Sequence, residues 1–317
     1  MAMHKWKWPL ALMGLLASPA VLAQPLPSDA ALRERYALPA SQLVEIDGEP
    51  IHYVDEGRGP TILLLHGSFG SLRQWNQWAK VLKTHYRVVR FDLPPAGLSG
   101  PSPTADYTLE RKIAIIDALR ERLHLGRFLL VSTSSSGIVG AAYAAQHNDR
   151  LTGLIYSNAP VGKFVMDSAS FPDALKQAVA EDATHKGYHK EEYWRQIILH
   201  NVEDKSKVTP NLVREWTDLN NRYLLMPPMS AASRAASHER TPDDLPKISV
   251  PTLFLWGAQD HEASVDRDAQ RGMALLGTKD KQLVVIPHCG HMLAIDCGDR
   301  ALEGAMSFIR RVAKRPR

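Results

Sequence analysis

From about residue 43 the apolar positions fall into short runs separated by longer amphipathic stretches. The runs at 61–65, 87–91, 128–131, 151–156, 252–256 and 282–286 are rich in Leu, Ile, Val and Phe, too short for helices, and end in turn-forming residues. They predict strands, and their near-continuous apolar character predicts burial on both faces, as in a mostly parallel sheet. Between them lie helical patterns. Ile113, Ile116, Leu119 and Leu123 recur at near-helical spacing before a stop at Gly126, and the stretch 138–146 is alanine-rich. Ahead of these, 43–47 and 51–55 flank Gly48-Glu49-Pro50 and predict an antiparallel hairpin at one edge. The expected class is α/β, with helices flanking a central sheet.

The alternation stops between residues 160 and 247. That stretch holds helical patterns at 171–181 and 191–200 and a third opened by Thr209-Pro210, an N-cap followed by proline at the first helical position. Because the strand pattern resumes afterwards, the stretch of about 161–245 is expected to be a helical cap inserted into one domain spanning 24–317. Its aromatics include Tyr193, Trp194, Trp216 and Tyr223, which either line a pocket or pack the cap onto the core.

Charge and cysteine content adjust this picture at the two ends. The net charge of +4 falls to +2 without Lys5 and Lys7, and to −3 when Arg310, Arg311, Lys314, Arg315 and Arg317 are also set aside. No basic face for nucleic acid is left. Residues 1–23 carry a basic start, an apolar stretch from Leu10 to Leu16 and small residues before Ala23. That tripartite pattern predicts a cleaved export signal and a periplasmic or secreted protein, and the stretch is too short for a stable membrane span. In an oxidising compartment Cys289 and Cys297 either pair or stay buried as thiols; two cysteines cannot supply a disulfide scaffold or a zinc finger.

The strand at 128–131 runs through Ser132-Thr133-Ser134-Ser135-Ser136-Gly137 straight into a helix. So sharp a turn needs small residues around its apex and projects the apex hydroxyl from the carboxyl edge of the sheet, beside the amides of the helix start. Ser134 is the apex in one register and Ser135 in the other. Downstream, Asp260 follows the strand at 252–256, and His288 and His291 follow the strand at 282–286, both at the same edge. Ser134 as nucleophile, His291 as base and Asp260 as its orienting acid form one candidate set. His288 competes with His291, but His291 follows Gly290 at the start of the next helical pattern. As a metal pair, His288 and His291 lack a third ligand at any familiar spacing. Finally, His66-Gly67-Ser68-Phe69-Gly70 makes a glycine turn after the strand at 61–65, where the amide of Ser68, with that of Ser135, would form an oxyanion hole.

From about Leu43 to Phe308 the chain resembles the α/β-hydrolase superfamily. The likeness rests on the serine turn, on the order Ser134, Asp260, His291, and on Arg90-Phe91-Asp92-Leu93-Pro94-Pro95-Ala96-Gly97-Leu98-Ser99-Gly100, which is similar to the D-x-P-G-x-G-x-S segment of cap-bearing members. It departs from the family at Ser132 and Ser136, which stand where the G-x-S-x-G turn has glycines, and at Pro95 and Ala96. The resemblance implies an α/β-hydrolase fold, no cofactor and no metal. It implies a small-molecule substrate, with carboxylic ester hydrolysis through an acyl-enzyme. A C–C bond hydrolase of a vinylogous diketone, or a ligand-binding receptor with a vestigial triad, is also compatible. Members that use Asp at the turn, the dehalogenases and epoxide hydrolases, do not fit a turn made of Ser and Thr.

Overall fold

The computed structural model describes residues 26–164, 168–184, 188–222 and 237–313. The expected signal at 1–23 and Tyr223 lie outside them. Eight strands build one sheet: β1 (Ser41–Ile46), β2 (Glu49–Glu56), β3 (Thr61–Leu65), β4 (Arg87–Phe91), β5 (Phe128–Thr133), β6 (Leu151–Ser157), β7 (Thr252–Gly257) and β8 (Lys281–Ile286). Their order is β1-β2-β4-β3-β5-β6-β7-β8. The hairpin partners β1 and β2 are antiparallel, as is the β2–β4 pair, and all other neighbours run parallel.

The apolar runs of β3 to β7 are continuous because these strands bury alternate residues on opposite faces, whereas β8, at the sheet edge, departs from the expected two-sided burial and leaves Val285 exposed. Leu63, Leu65, Val89, Phe91, Phe128, Leu130, Phe254 and Trp256 share one core with helices α3 (Leu109–Arg122) and α4 (Ser135–Gln146). Ile62, Leu64, Val88, Leu129, Val131, Leu253 and Leu255 face the other core, under α2 (Asn76–Leu82) and the C-terminal helix Gly298–Ala313. Each fully buried side chain of this kind contributes about 1.5–3 kcal/mol by leaving water.

Helix α3 starts on Thr108, whose hydroxyl accepts from the Arg111 amide at 3.2 Å. It ends earlier than the Gly126 stop implied. His124 takes a left-handed conformation (φ 49°), and the Leu125 amide reaches back to the Arg120 carbonyl at 2.9 Å. The helix is thus closed by a local hydrogen bond at a non-glycine residue, an ending the glycine signal does not reveal.

Between β6 and β7 the described residues form helices α5 (Asp173–Asp182), α6 (Glu191–Asn201) and α7 (Pro210–Asn220), with no strand among them. Thr209 caps α7 by accepting from the Leu212 amide at 3.2 Å, with Pro210 at the first position. Trp194, Ile198, Val202, Val208, Val213 and Trp216 make a small core belonging to these helices. Among the described residues no helix is long and apolar enough to cross a membrane.

Because β3, β5, β6, β7 and β8 are parallel, the loops that follow them all emerge at a single edge. The glycine turn, the serine turn, Asn158, Asp260 and His291 therefore converge there.

Candidate active site

Ser134 sits at the apex of the turn between β5 and α4 with φ 53° and ψ −131°, a conformation that costs a non-glycine residue roughly 1–3 kcal/mol. Its amide donates to the Ser157 carbonyl at 3.0 Å, which helps to hold it there. Ser135 opens α4, so of the two registers the structure puts Ser134 at the apex. The serines that replace the usual glycines have their own accommodation. A side chain at Gly140 would place its Cβ 2.2 Å from the Ser132 hydroxyl oxygen, so glycine on the facing helix makes room for Ser132. The Ser136 hydroxyl accepts from the Thr133 amide at 3.0 Å and lies 3.1 Å from the Leu65 carbonyl, bracing the turn against β3.

The Ser134 hydroxyl lies 2.9 Å from His291 Nε2, and His291 Nδ1 lies 2.9 Å and 3.0 Å from the two Asp260 carboxylate oxygens. A carboxylate only accepts, so Nδ1 carries the proton in the neutral ring and Nε2 accepts from Ser134. Asp260 is itself held by the Asn158 side-chain amide at 2.7 Å and by the backbone amides of Glu262 and Ala263, both at 2.8 Å. Burial by itself would lower the pKa of His291, but the negative charges of Asp260 and Glu262 outweigh it and raise the pKa to about 9. Glu262 Oε2 stands 3.5 Å from Nε2, the same nitrogen that meets Ser134. The rival His288 is exposed and lies away from this chain of contacts.

The glycine turn lies against the serine. A Cβ on Gly67 would come within 2.9 Å of the Ser134 Cβ, so this close approach requires glycine. The Gly67 amide donates to the Gln74 side chain at 3.3 Å, and buried His66 accepts from the Leu93 amide at 2.9 Å. Ser68 lines the same cavity as Ser134. Ser135 supplies one of the first amides of α4, which have no acceptor within the helix. The cap helices touch this turn directly: the Asn220 side chain donates to the Phe69 carbonyl at 2.9 Å, and the Phe69 ring packs edge-on against Trp194 at 5.3 Å.

Over Ser134 the cavity is small, about 40 Å³, and is bounded by Gly67, Ser68, Trp216, His291 and Met292. A larger space of about 320 Å³ adjoins it and shares Gln74, Trp216, Ala294 and Ile295. Trp216 therefore both packs in the cap core and lines the site, whereas Tyr193 packs within the cap and Trp194 joins the cap core to Phe69.

The segment D-L-P-P-A-G-L-S plays a bracing part. Asp92 is buried and accepts from the amides of Leu72 and Leu98 at 2.6 and 2.7 Å, and pairs with His52 at 2.7 Å. Asn158, Gln74 and Glu262 stand out in no motif or periodic pattern. Asn158 follows β6, just as Asp260 follows β7. A polar residue at each carboxyl strand end was the available signal, but only the register of β6 on β7 brings the two together.

Cys289 and Cys297 are joined in a disulfide. The loop it closes carries His291 and the helical turn Leu293–Asp296, so the cross-link fastens the segment that presents the imidazole. Reduction, or Cys297→Ser, is expected to cost about 2–3 kcal/mol on chain-entropy grounds. The measurement is thermal unfolding with and without reductant, with the Cys297→Ser protein insensitive to the reductant.

A family model described as the alpha/beta hydrolase fold matches residues 60–296. The chain is 24% identical over 280 residues to the 2-hydroxy-6-oxo-6-(2'-aminophenyl)hexa-2,4-dienoic acid hydrolase of Metapseudomonas resinovorans, covering 86% of this chain and 91% of that protein. It is 25% identical over 268 residues to a human monoacylglycerol lipase, covering 81% and 77% respectively. Among solved structures, a meta-cleavage product hydrolase from Pseudomonas fluorescens superposes with a TM-score of 0.70 at 21% identity, over 85% of this chain and 97% of that one. With a family match across most of its length and the sheet order described above, the chain belongs to the α/β-hydrolase family.

Proposed function

We propose that the chain is an exported serine hydrolase that cleaves a carboxylic ester of a small to medium, partly apolar substrate. The observation that carries this reading is the unbroken hydrogen-bonded series from Ser134 through His291 to Asp260, ending on a serine in a strained backbone conformation. In this mechanism His291 Nε2 takes the hydroxyl proton as Ser134 Oγ bonds to the ester carbonyl carbon. The amides of Ser68 and Ser135 stabilise the oxyanion. The tetrahedral adduct then collapses, and His291 returns the proton to the departing alkoxide. A water, deprotonated by the same nitrogen, attacks the acyl-enzyme and releases the acid, regenerating the Ser134 hydroxyl.

Cavity dimensions support a substrate that extends beyond the reacting carbonyl. A space of about 40 Å³ has room for only a few waters, so the remainder of a bound ester would extend into the adjoining 320 Å³ along Trp216 and Ile295. Export is supported by the N-terminal pattern and is compatible with the disulfide. Cleavage of a carbon–carbon bond is a second reading, favoured by the similarity to the dienoic acid hydrolase. It would use the same serine.

A fluorophosphonate probe with peptide mapping tests the proposal. The expected result is a single adduct on Ser134, lost in Ser134→Ala, with turnover of short p-nitrophenyl esters exceeding that of a vinylogous diketone. Labelling of Ser135 would move the nucleophile, and folded protein that takes no label would remove the serine mechanism.

A further inference from the structure

His291 Nε2 has two neighbours where the proton transfer requires one. Ser134 lies 2.9 Å away and the Glu262 carboxylate 3.5 Å away. Glu262 is two residues beyond Asp260, and the turn that lets Asp260 accept from the Glu262 amide also swings this second side chain over the other edge of the imidazole. Its carboxylate is about one-fifth exposed, and among the described residues it forms no ion pair with a lysine or arginine.

We propose that Glu262 is a positioning residue for the general base: a second carboxylate on His291 that stabilises the imidazolium, shifts the working range of the enzyme to alkaline pH, and disfavours substrates whose acyl chain carries a carboxylate within a few atoms of the reacting carbonyl. The inference rests on the serine-hydrolase reading.

The imidazole lies between two negative groups. Asp260 holds Nδ1 and Glu262 faces Nε2, and Asp268, from the turn Val265–Ala269, adds a more distant negative charge. From the cap, His200 on α6 faces the same group. Burial lowers its pKa, and it interacts with Glu262, His291, Lys205 and His261. The His261 ring lies 6.1 Å from that of His200 and pairs with Glu203 at 3.8 Å. The net field favours imidazolium on His291, and its raised pKa of about 9 agrees with this geometry.

Only the neutral ring accepts the serine proton, so activity rises as pH rises through that value. Stability runs the other way. A base with a raised folded-state pKa contributes stability in full below its ordinary value of 6.5, and this is lost as pH rises through about 9. A fixed negative charge within a few ångströms of the reacting centre also opposes an anionic substrate.

The test compares the parent chain with Glu262→Gln and with Glu203→Gln. The first removes the charge at nearly constant shape, and the second removes a carboxylate beyond His261. In Glu262→Gln the acid limb of kcat/KM for p-nitrophenyl butyrate is expected to move down by about one pH unit, which raises kcat/KM at pH 7 about tenfold. Preference for that ester over mono-p-nitrophenyl succinate should fall about tenfold. Glu262→Asp should restore part of both effects, and Glu203→Gln should leave the profile in place. Superimposable profiles for parent and Glu262→Gln, or an equal displacement in Glu203→Gln, would overturn the inference, and an unchanged ester preference would overturn its substrate-charge component. NMR titration of the His291 ring gives the same comparison without turnover. If neither ester is cleaved, the hydrolase reading fails, while the NMR midpoints still decide the role of Glu262.

Discussion

Ser134→Ala is expected to lower kcat for p-nitrophenyl esters by about 10⁴- to 10⁶-fold with little change in thermal stability. The size of the loss follows from the linkage: Ser134, His291 and Asp260 are hydrogen-bonded in series, and in the proposed mechanism removing the nucleophile forfeits nearly all that the three would achieve together. The small stability effect follows from the location, since the hydroxyl faces a cavity and the hydrogen bond from the residue's backbone amide to the Ser157 carbonyl survives in alanine. A left-handed backbone remains strained for alanine, so no relief comes from the change. Steady-state kinetics with active-site titration, paired with a melting curve, provides the check. Retention of more than one-hundredth of the parent rate would move the nucleophile elsewhere.

The second large effect is expected for Asp260→Asn, a loss of about 10⁴-fold in kcat at pH 7. Four donors converge on this carboxylate: the Asn158 side chain, the amides of Glu262 and Ala263, and His291 Nδ1. An asparagine keeps one carbonyl oxygen for the two backbone amides and must turn its NH2 towards His291. The imidazole then accepts at Nδ1 and carries its proton on Nε2, facing the Ser134 hydroxyl with a donor where an acceptor is needed. The same change takes away the largest favourable charge on the imidazolium, so the His291 pKa should fall. A pH–rate profile shows both effects. Its acid limb should move to lower pH while its plateau stays about 10⁴-fold below that of the parent, and activity at pH 7 equal to or above the parent's would show that charge alone matters, and not the tautomer.

Much of this site can be read from the chain order of its residues. Each candidate stands just after an apolar run, and in a parallel sheet all such positions share one edge whatever the detailed packing. Chain order thus places Ser134, Asp260, His291 and the turn at 66–70 in one neighbourhood. It leaves Ser135 in competition with Ser134, because both are small residues flanked by small residues. The choice depends on which of them takes the left-handed backbone and meets His291. Likewise His288 and His291 are three residues apart on one loop, and only the packing of that loop leaves one exposed and buries the other against Asp260.

Residues that act by holding others left no periodic or motif signal. Asn158 is buried and unremarkable in sequence, and its importance comes from the lateral pairing of β6 with β7. Gly140 is one of several small residues in an alanine-rich helix until the Ser132 hydroxyl is found beside it. Glu262 reads as an ordinary polar loop residue, and its place over Nε2 depends on the turn that Asp260 imposes.

By itself, then, the sequence determined the layered α/β architecture, the sheet edge that gathers the candidate residues and the residue types assembled there, because hydrophobic periodicity and strand-to-loop transitions are local properties. Tertiary structure alone decided which serine is the apex, that Cys289 and Cys297 join, how small the space above Ser134 is, and that a second carboxylate stands on the imidazole. Apart from the Cys289–Cys297 pair, eight residues apart on one loop, those features depend on distances between segments remote in the chain, and such distances are set by packing and register, which no single segment encodes.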